Sequence, residues 1–240
     1  MVAPKIGFMP AAGLVLVLAG CTAVQERYPP TAEPVRPAVT GVPWGPVPGA
    51  RRYALNAQAS QLLVFVYRTG RMARLGHNHL ISVGELEGDL WLAEPLSDSR
   101  VEIRLPVHTL VVDDPQLRAA AGPDFDSEPS PQDIANTRRN MLGAQVLNAA
   151  AHPWITLRGT PDGGRLPDLE LDAELEIHGR TGRMRLPVHV ESAPGRVLVS
   201  GEFRLRQSDF GITPYSVMMG ALAVQDELTV RYRLVAEPAD

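Results

Sequence analysis

LELDAELEIHGRTGRMRLPVHV, residues 169–190, alternates apolar and charged side chains on both sides of a short polar interruption. Leu169, Leu171, Ala173, Leu175 and Ile177 alternate with Glu170, Asp172, Glu174, Glu176 and His178. After Gly179-Arg180-Thr181-Gly182, Met184, Leu186, Val188 and Val190 alternate with Arg183, Arg185, His189 and Glu191. A period of two belongs to strands with one dry and one wet face, so the stretch predicts a hairpin with its turn at Gly179–Gly182. The acidic wet face of the first strand lies opposite the basic face of the second. Such cross-strand pairs add only about 0.2–1 kcal/mol each but oppose slippage of the register. Pairing accounts for these charges, and no chemistry is assigned to them.

The same period extends outward. After a turn at Pro194-Gly195, Arg196–Arg206 places Val197, Val199, Phe203 and Leu205 on alternating positions; Glu227–Ala236 does so with Leu228, Val230, Tyr232 and Leu234. Val101, Ile103 and Leu105 mark another strand, Trp154–Gly159 one more, and Leu86–Leu92 a further one. Leu62–Arg68 is apolar on both sides, with Leu62, Val64 and Val66 against Leu63, Phe65 and Tyr67, which predicts a strand covered on both faces. About eight such strands joined by turns give a mainly β domain, a closed antiparallel barrel or a two-sheet sandwich. One region breaks the pattern. Ser130 as N-cap, Pro131 at the first helical position and Asp133 at the capping-box position predict a helix of about three turns. Ile134, Arg138, Met141 and Leu142 follow at helical spacing, and the helix is expected to lie across one end of the barrel.

The chain has 240 residues, a net charge of −4 and a single cysteine, Cys21. Neither sign of charge dominates a long segment, which argues against a nucleic-acid partner. Lys5, the apolar run Ala11–Gly20 and small residues before Cys21 read as a secretory signal over residues 1–20, too short to span a bilayer. Leu18-Ala19-Gly20-Cys21 resembles the bacterial lipobox, which implies cleavage before Cys21 and its acylation. Two or more acyl chains would hold the protein stably on a membrane. Thr22, in place of the acid that retains lipoproteins at the inner membrane, favours the outer membrane by the same analogy. An ordinary cleavable signal with an incidental cysteine is the alternative. Residues 21–51 carry seven prolines and read as a semi-rigid linker, up to about 90 Å long if fully extended. Residues 52–240 form the folded domain, which has no disulfide and must rely on its core.

His77-Asn78-His79 is the sharpest polar constellation. Residues two apart in a strand share a face, so His77 and His79 are expected to point with Ile81 and Val83. On the inner face of a barrel they would place two imidazoles at the edge of an apolar cavity, suited to a polar head group. Structural pairing or solvent exposure is the plain alternative, and a metal site the third, though no spacing supplies further ligands nearby. Asp124-Phe125-Asp126-Ser127-Glu128 lacks the glycine and terminal acid of a calcium loop and reads as solvated. No G-x-S-x-G, H-E-x-x-H, phosphate-binding or dinucleotide-binding pattern occurs, and no catalytic residue or cofactor is assigned. Met218-Met219 is read as strand residues packed into the core.

In this order the segments resemble the YceI-like, polyisoprenoid-binding domains, over about Tyr53 to Ala236. Tyr53-Ala54-Leu55-Asn56 stands where the family opens with an aromatic, an aliphatic and an acid, here replaced by Asn56. Ser60–Val66 is similar to the family's serine followed by an apolar strand, and Leu75-Gly76-His77-Asn78-His79 takes the place of its Gly-x-Phe. His152-Pro153-Trp154-Ile155, Leu175-Glu176-Ile177-His178-Gly179-Arg180-Thr181 and Gln207-Ser208-Asp209-Phe210-Gly211-Ile212 resemble three further family segments. The resemblance implies a lipocalin-like antiparallel barrel with one short helix region, enclosing an isoprenoid-type lipid such as a polyprenyl or quinone-like chain. It also implies a periplasmic or secreted location. The expected wall residues are Leu62, Val64, Val66, Ile81, Val83, Phe203, Leu205 and Phe210, with either face of the Leu62 strand open as the inner one, His77 and His79 at the head group and Cys21 as membrane anchor. The rivals are a structural or partner-binding lipoprotein with a filled barrel, and a metal or redox protein built on His77 and His79. A homodimer is left open.

Overall fold

The computed structural model describes residues 36–37 and 45–239. The signal run, Cys21 and the linker outside 36–37 and 45–51 lie outside the described residues. Ten strands build the body: β1 (Arg51–Leu55), β2 (Gln61–Val66), β3 (His79–Ser82), β4 (Glu87–Leu92), β5 (Arg100–Pro106), β6 (Trp154–Arg165), β7 (Asp168–Ile177), β8 (Arg180–Ala193), β9 (Arg196–Arg206) and β10 (Glu227–Pro238). Eight of them, β1 and β4 to β10, close into an antiparallel ring in the order β1-β4-β5-β6-β7-β8-β9-β10 and back to β1. The expected barrel is what forms.

The Leu62 strand is not one of the ring. β10 is long enough to take two partners on one side: Ala236–Pro238 pairs with β1, and Thr229–Arg233 pairs with β2. Between those partners the chain makes the 3-10 turn Ala57–Ala59, whose amide at Ala59 donates to the Asn56 side chain. Asn56 thus supplies the acceptor that an acid would supply at this position. β2 then carries β3 and the short strand Val111–Val112 as a flap over one end. Its two faces are both covered, as its composition predicts. Leu62, Val64 and Val66 face inward, while Phe65 packs outside with Leu80 and Phe125, the two phenyl rings edge-on at 5.5 Å.

In the β7–β8 hairpin the register runs from Asp168↔His189 to Ile177↔Arg180. The turn is therefore His178-Gly179, with φ of +55° and +69°, and not Gly179–Gly182, whose last three residues belong to β8. A two-residue turn with both residues at positive φ matches the twist of paired strands better than a longer polar loop. The opposed charges form ion pairs between Arg183 and Asp172 and between Arg185 and Glu170.

Helix α1 (Pro115–Ala120) was not anticipated; Asp114 caps it by accepting from the amides of Gln116 and Leu117. Helix α2 (Pro131–Leu142) is the expected one, with both halves of the Ser130–Asp133 capping box formed. Met218-Met219 departs from expectation. The Gly220 amide donates to Val217 O, closing a two-residue turn in which both methionines take positive φ. Their side chains leave the core and are 58 % and 102 % exposed.

Candidate functional site

Inward-facing residues of the ring are Leu, Ile and Val for the most part, with Gly159 among them. An eight-stranded ring is just wide enough for side chains to fill it or for a ligand to enter. Here they do not fill it: a cavity of about 990 Å³ runs the length of the barrel. Its middle is largely apolar, walled by Ile103, Leu157, Leu171, Val188, Val199 and Leu234. Most polar groups stand toward the ends; between them the Tyr232 hydroxyl lies against Gly201 and donates to Pro187 O at 3.3 Å. Arg51, Glu94, Ser99, Arg100 and Ser192 stand at one end; Arg68, His77, His79, Thr137, Asn140, Gln207 and Tyr215 stand at the other. Thr137, Asn140 and Met141 come from α2, which closes over that second end.

All ten residues named from sequence line this cavity. Leu62, Val64 and Val66 come from β2, Ile81 and Val83 from β3 and its continuation, Phe203 and Leu205 from β9, and Phe210 from the 3-10 turn Gln207–Phe210. His77 and His79 share the inner face with Ile81 and Val83, their ring centres 6.5 Å apart. The alternate residues turn away: Asn78 accepts from the Arg68 amide at 3.0 Å and donates to Asp124 O at 2.9 Å, and Leu80 joins the outer cluster. Alternation along β3 places His79 on the cavity wall with Ile81, and His77, two residues before the strand, lines the cavity on the same side.

The two rings differ in support. His79 Nδ1 lies 2.6 Å from Asp113 Oδ2. Asp113 is fully buried and also accepts from the Leu80 amide at 2.9 Å and from Arg118 at 2.5 Å. Arg118, itself buried, donates further to Asn78 O, Phe125 O, Ser127 O and Ser127 Oγ. Burial would push the Asp113 carboxyl up, but the His79 and Leu80 hydrogen bonds and the charges of His79 and Arg118 outweigh it and hold the group below its ordinary value. With Nδ1 committed to Asp113, Nε2 of His79 is the nitrogen left for an occupant, an acceptor when the ring is neutral and a donor when it is protonated. His77 Nδ1 is buried and has no hydrogen-bond partner among the described residues. An unmet buried polar atom costs about 1–3 kcal/mol, which a ligand's polar group would offset.

Among the described residues no group of three or more His, Cys, Asp or Glu side chains is arranged to hold a metal ion. Asp113 and Arg118 were missed from sequence. Asp114-Pro115 carried a legible helix-start signal, but nothing local places Asp113 against a histidine 34 positions away.

The sequence model of the YceI-like domain matches residues 53–236. In structure the chain is similar to BcnA of Burkholderia cenocepacia, with a TM-score of 0.54 and 13% identity, covering 75% of this chain and 98% of that one. It is also similar to a mutant YCEI protein of Campylobacter jejuni, with a TM-score of 0.50 and 10% identity over 67% of this chain and 85% of that one. At such identities the likeness is one of fold. No curated protein sequence matches the chain.

Proposed function

The chain belongs to the YceI-like domain family, and from that footing we propose that it binds and sequesters or carries an isoprenoid-type lipid, polyprenyl or quinone-like, inside its barrel in the cell envelope. The family is one of barrels that bind polyisoprenoid-type ligands. The observation that carries the reading is the cavity itself, long, largely apolar through its middle and polar mainly at its ends. Each methylene moved there from water contributes about 0.8 kcal/mol, so a multi-isoprene tail binds tightly without specific contacts. Selectivity then rests on tunnel length and on a few polar groups. His77 and His79 are the head-group residues in this reading, with Thr137 and Asn140 of α2 beside them on the same rim. No chemical step is assigned, and the protein acts by holding its cargo.

Acylation at Cys21 would tether the domain in the periplasm, with the outer membrane favoured. Mass spectrometry of an organic extract of the purified protein tests the cargo directly. An abundant apolar isoprenoid is expected; an extract with no bound lipid sinks the proposal and leaves a structural or partner-binding role. Replacing Cys21 by Ala should move the protein from the membrane fraction to the soluble envelope fraction. Unaltered fractionation would remove the anchor.

A further inference from the structure

Two loops meet beside the histidine end of the cavity. The strand Arg68–Thr69 pairs with Ala223 and Val224 of the hairpin formed by Ser216–Val217 and Leu222–Val224. The Met72 amide donates to Ala221 O at 2.8 Å. A Cβ on Gly70 would stand 2.5 Å from Ala221 O and one on Gly76 would stand 2.9 Å from Leu222, so the loops are pressed together. Gly76, Val217 and Leu222 line the cavity, which makes this pair of loops part of its rim.

From that rim Leu75, Met218 and Met219 project into solvent, 59 %, 58 % and 102 % exposed. The turn that carries the methionines, Val217–Gly220, holds both at positive φ, a conformation that favours Asn and Gly and disfavours other side chains. Backbone held against preference at an exposed tip is a pointer to use. Arg71 and Arg74 stand exposed beside it without an ion pair to any described residue. No acid occurs from Arg68 to His79 or from Ile212 to Gln225.

We propose that this rim docks on a bilayer surface bearing anionic headgroups. Met218, Met219 and Leu75 enter the acyl boundary, Arg71 and Arg74 meet the phosphates, and a lipid passes between bilayer and cavity without crossing water. The proposal rests on the carrier reading. A bilayer fits better than a protein partner on two counts. Three side chains on a convex tip fall far short of the roughly 800 Å² per partner of a stable protein interface. An apolar tip on two loops that carry unpaired cations and no acid of their own is the pattern of interfacial insertion into anionic membranes.

The test places a reporter at each end of the barrel in the full chain: Met219→Trp on the rim, and Leu166→Trp, at the opposite end and 52 % exposed in the parent. Vesicles of phosphatidylethanolamine and phosphatidylglycerol with brominated acyl chains should quench the new emission at 219 and shift it to shorter wavelength, while the reporter at 166 stays unquenched. Any acyl anchor is common to both variants and does not separate them. In a Cys21→Ser background, Met218→Asp with Met219→Asp should weaken vesicle partitioning about a hundredfold, roughly tenfold for each buried methionine lost. Equal response at the two ends, or none at 219, overturns the proposal and leaves the patch to a protein partner. Organic extracts of the same samples separate the two ideas: cargo without quenching overturns docking alone, and quenching without cargo overturns the carrier reading.

Discussion

Asp113 has no exposed side-chain surface, yet it is ionised and holds three partners: the Leu80 amide, Arg118 and His79. Its carboxyl sits below the ordinary value, although burial alone would raise it, because those hydrogen bonds and charges favour the anion. A group depressed on folding contributes stability that is complete above its unfolded value of about 3.9 and is lost as pH falls through the lower folded value. Urea unfolding at a series of pH values should therefore show stability falling below about pH 4, and Asp113→Asn should flatten that acid limb. An unchanged limb would mean that Asp113 is not the titrating group. At neutral pH Asp113→Ala should cost about 3–5 kcal/mol, since Arg118 stays buried with its main charge partner gone. The same residue sets the aim of His79. His77→Ala with His79→Ala should lower lipid retention about tenfold, as expected for one or two lost hydrogen bonds, while circular dichroism stays that of the parent. Retention equal to the parent's would take the histidines out of the site.

The turn Val217–Gly220 and helix α2 show how single elements serve the cavity. Two methionines in the left-handed region cost roughly 1–2 kcal/mol each relative to residues that accept it. Met218→Asn with Met219→Gly, the pair such a turn favours, should raise the melting temperature while abolishing the proposed docking. A lower melting temperature would show that the methionines are held there by packing. Ser130→Ala should destabilise α2 by about 1 kcal/mol and loosen the end of the cavity that Thr137, Asn140 and Met141 cover. Most elements were legible in sequence because their signals are local. Period-two alternation marked most of the ring strands, and the Ser130-Pro131-Asp133 start marked α2. Partners and register were not, because alternation fixes which face a residue shows and not which strand lies beside it. That is why β2 reads as a ring strand although the ring closes through Ala236–Pro238 of β10 against β1, and why a Gly-Arg-Thr-Gly turn gives way to His178-Gly179. Inward residues from Ile81 to Phe210 were therefore legible as wall, while the inner face of β2, apolar on both sides, and Asp113 and Arg118, which support the wall from behind, were not.

At the scale of the molecule, the earliest described residues also lie at the barrel's histidine end. Arg36–Pro37 pairs with Arg183 and Gly182 at the start of β8, beside the His178-Gly179 turn. Whatever its conformation, the chain between Cys21 and Arg36 can span no more than about 50 Å. An acylated Cys21 would thus keep this end within reach of the bilayer on which the rim is proposed to dock. The other molecular property is hollowness. Wall residues around about 990 Å³ of cavity lack partners on one side and forfeit the dispersion contacts of a packed core. A bound tail supplies those contacts to the folded state alone, so cargo and stability are linked. At a free ligand concentration about a thousand times Kd, the linkage is worth roughly 4 kcal/mol. For a domain of this size each kcal/mol moves the melting temperature by about 2–4 °C. Calorimetry should therefore show stripped protein melting about 10 °C below loaded protein, with the difference restored by a polyprenyl lipid added from micelles. Leu157→Trp, which puts an indole across the apolar middle, should carry little cargo and melt at one temperature whether or not lipid is added. Equal melting of stripped and loaded parent protein would mean that the cavity wall gains nothing from an occupant, and the physical ground for a bound tail would be gone.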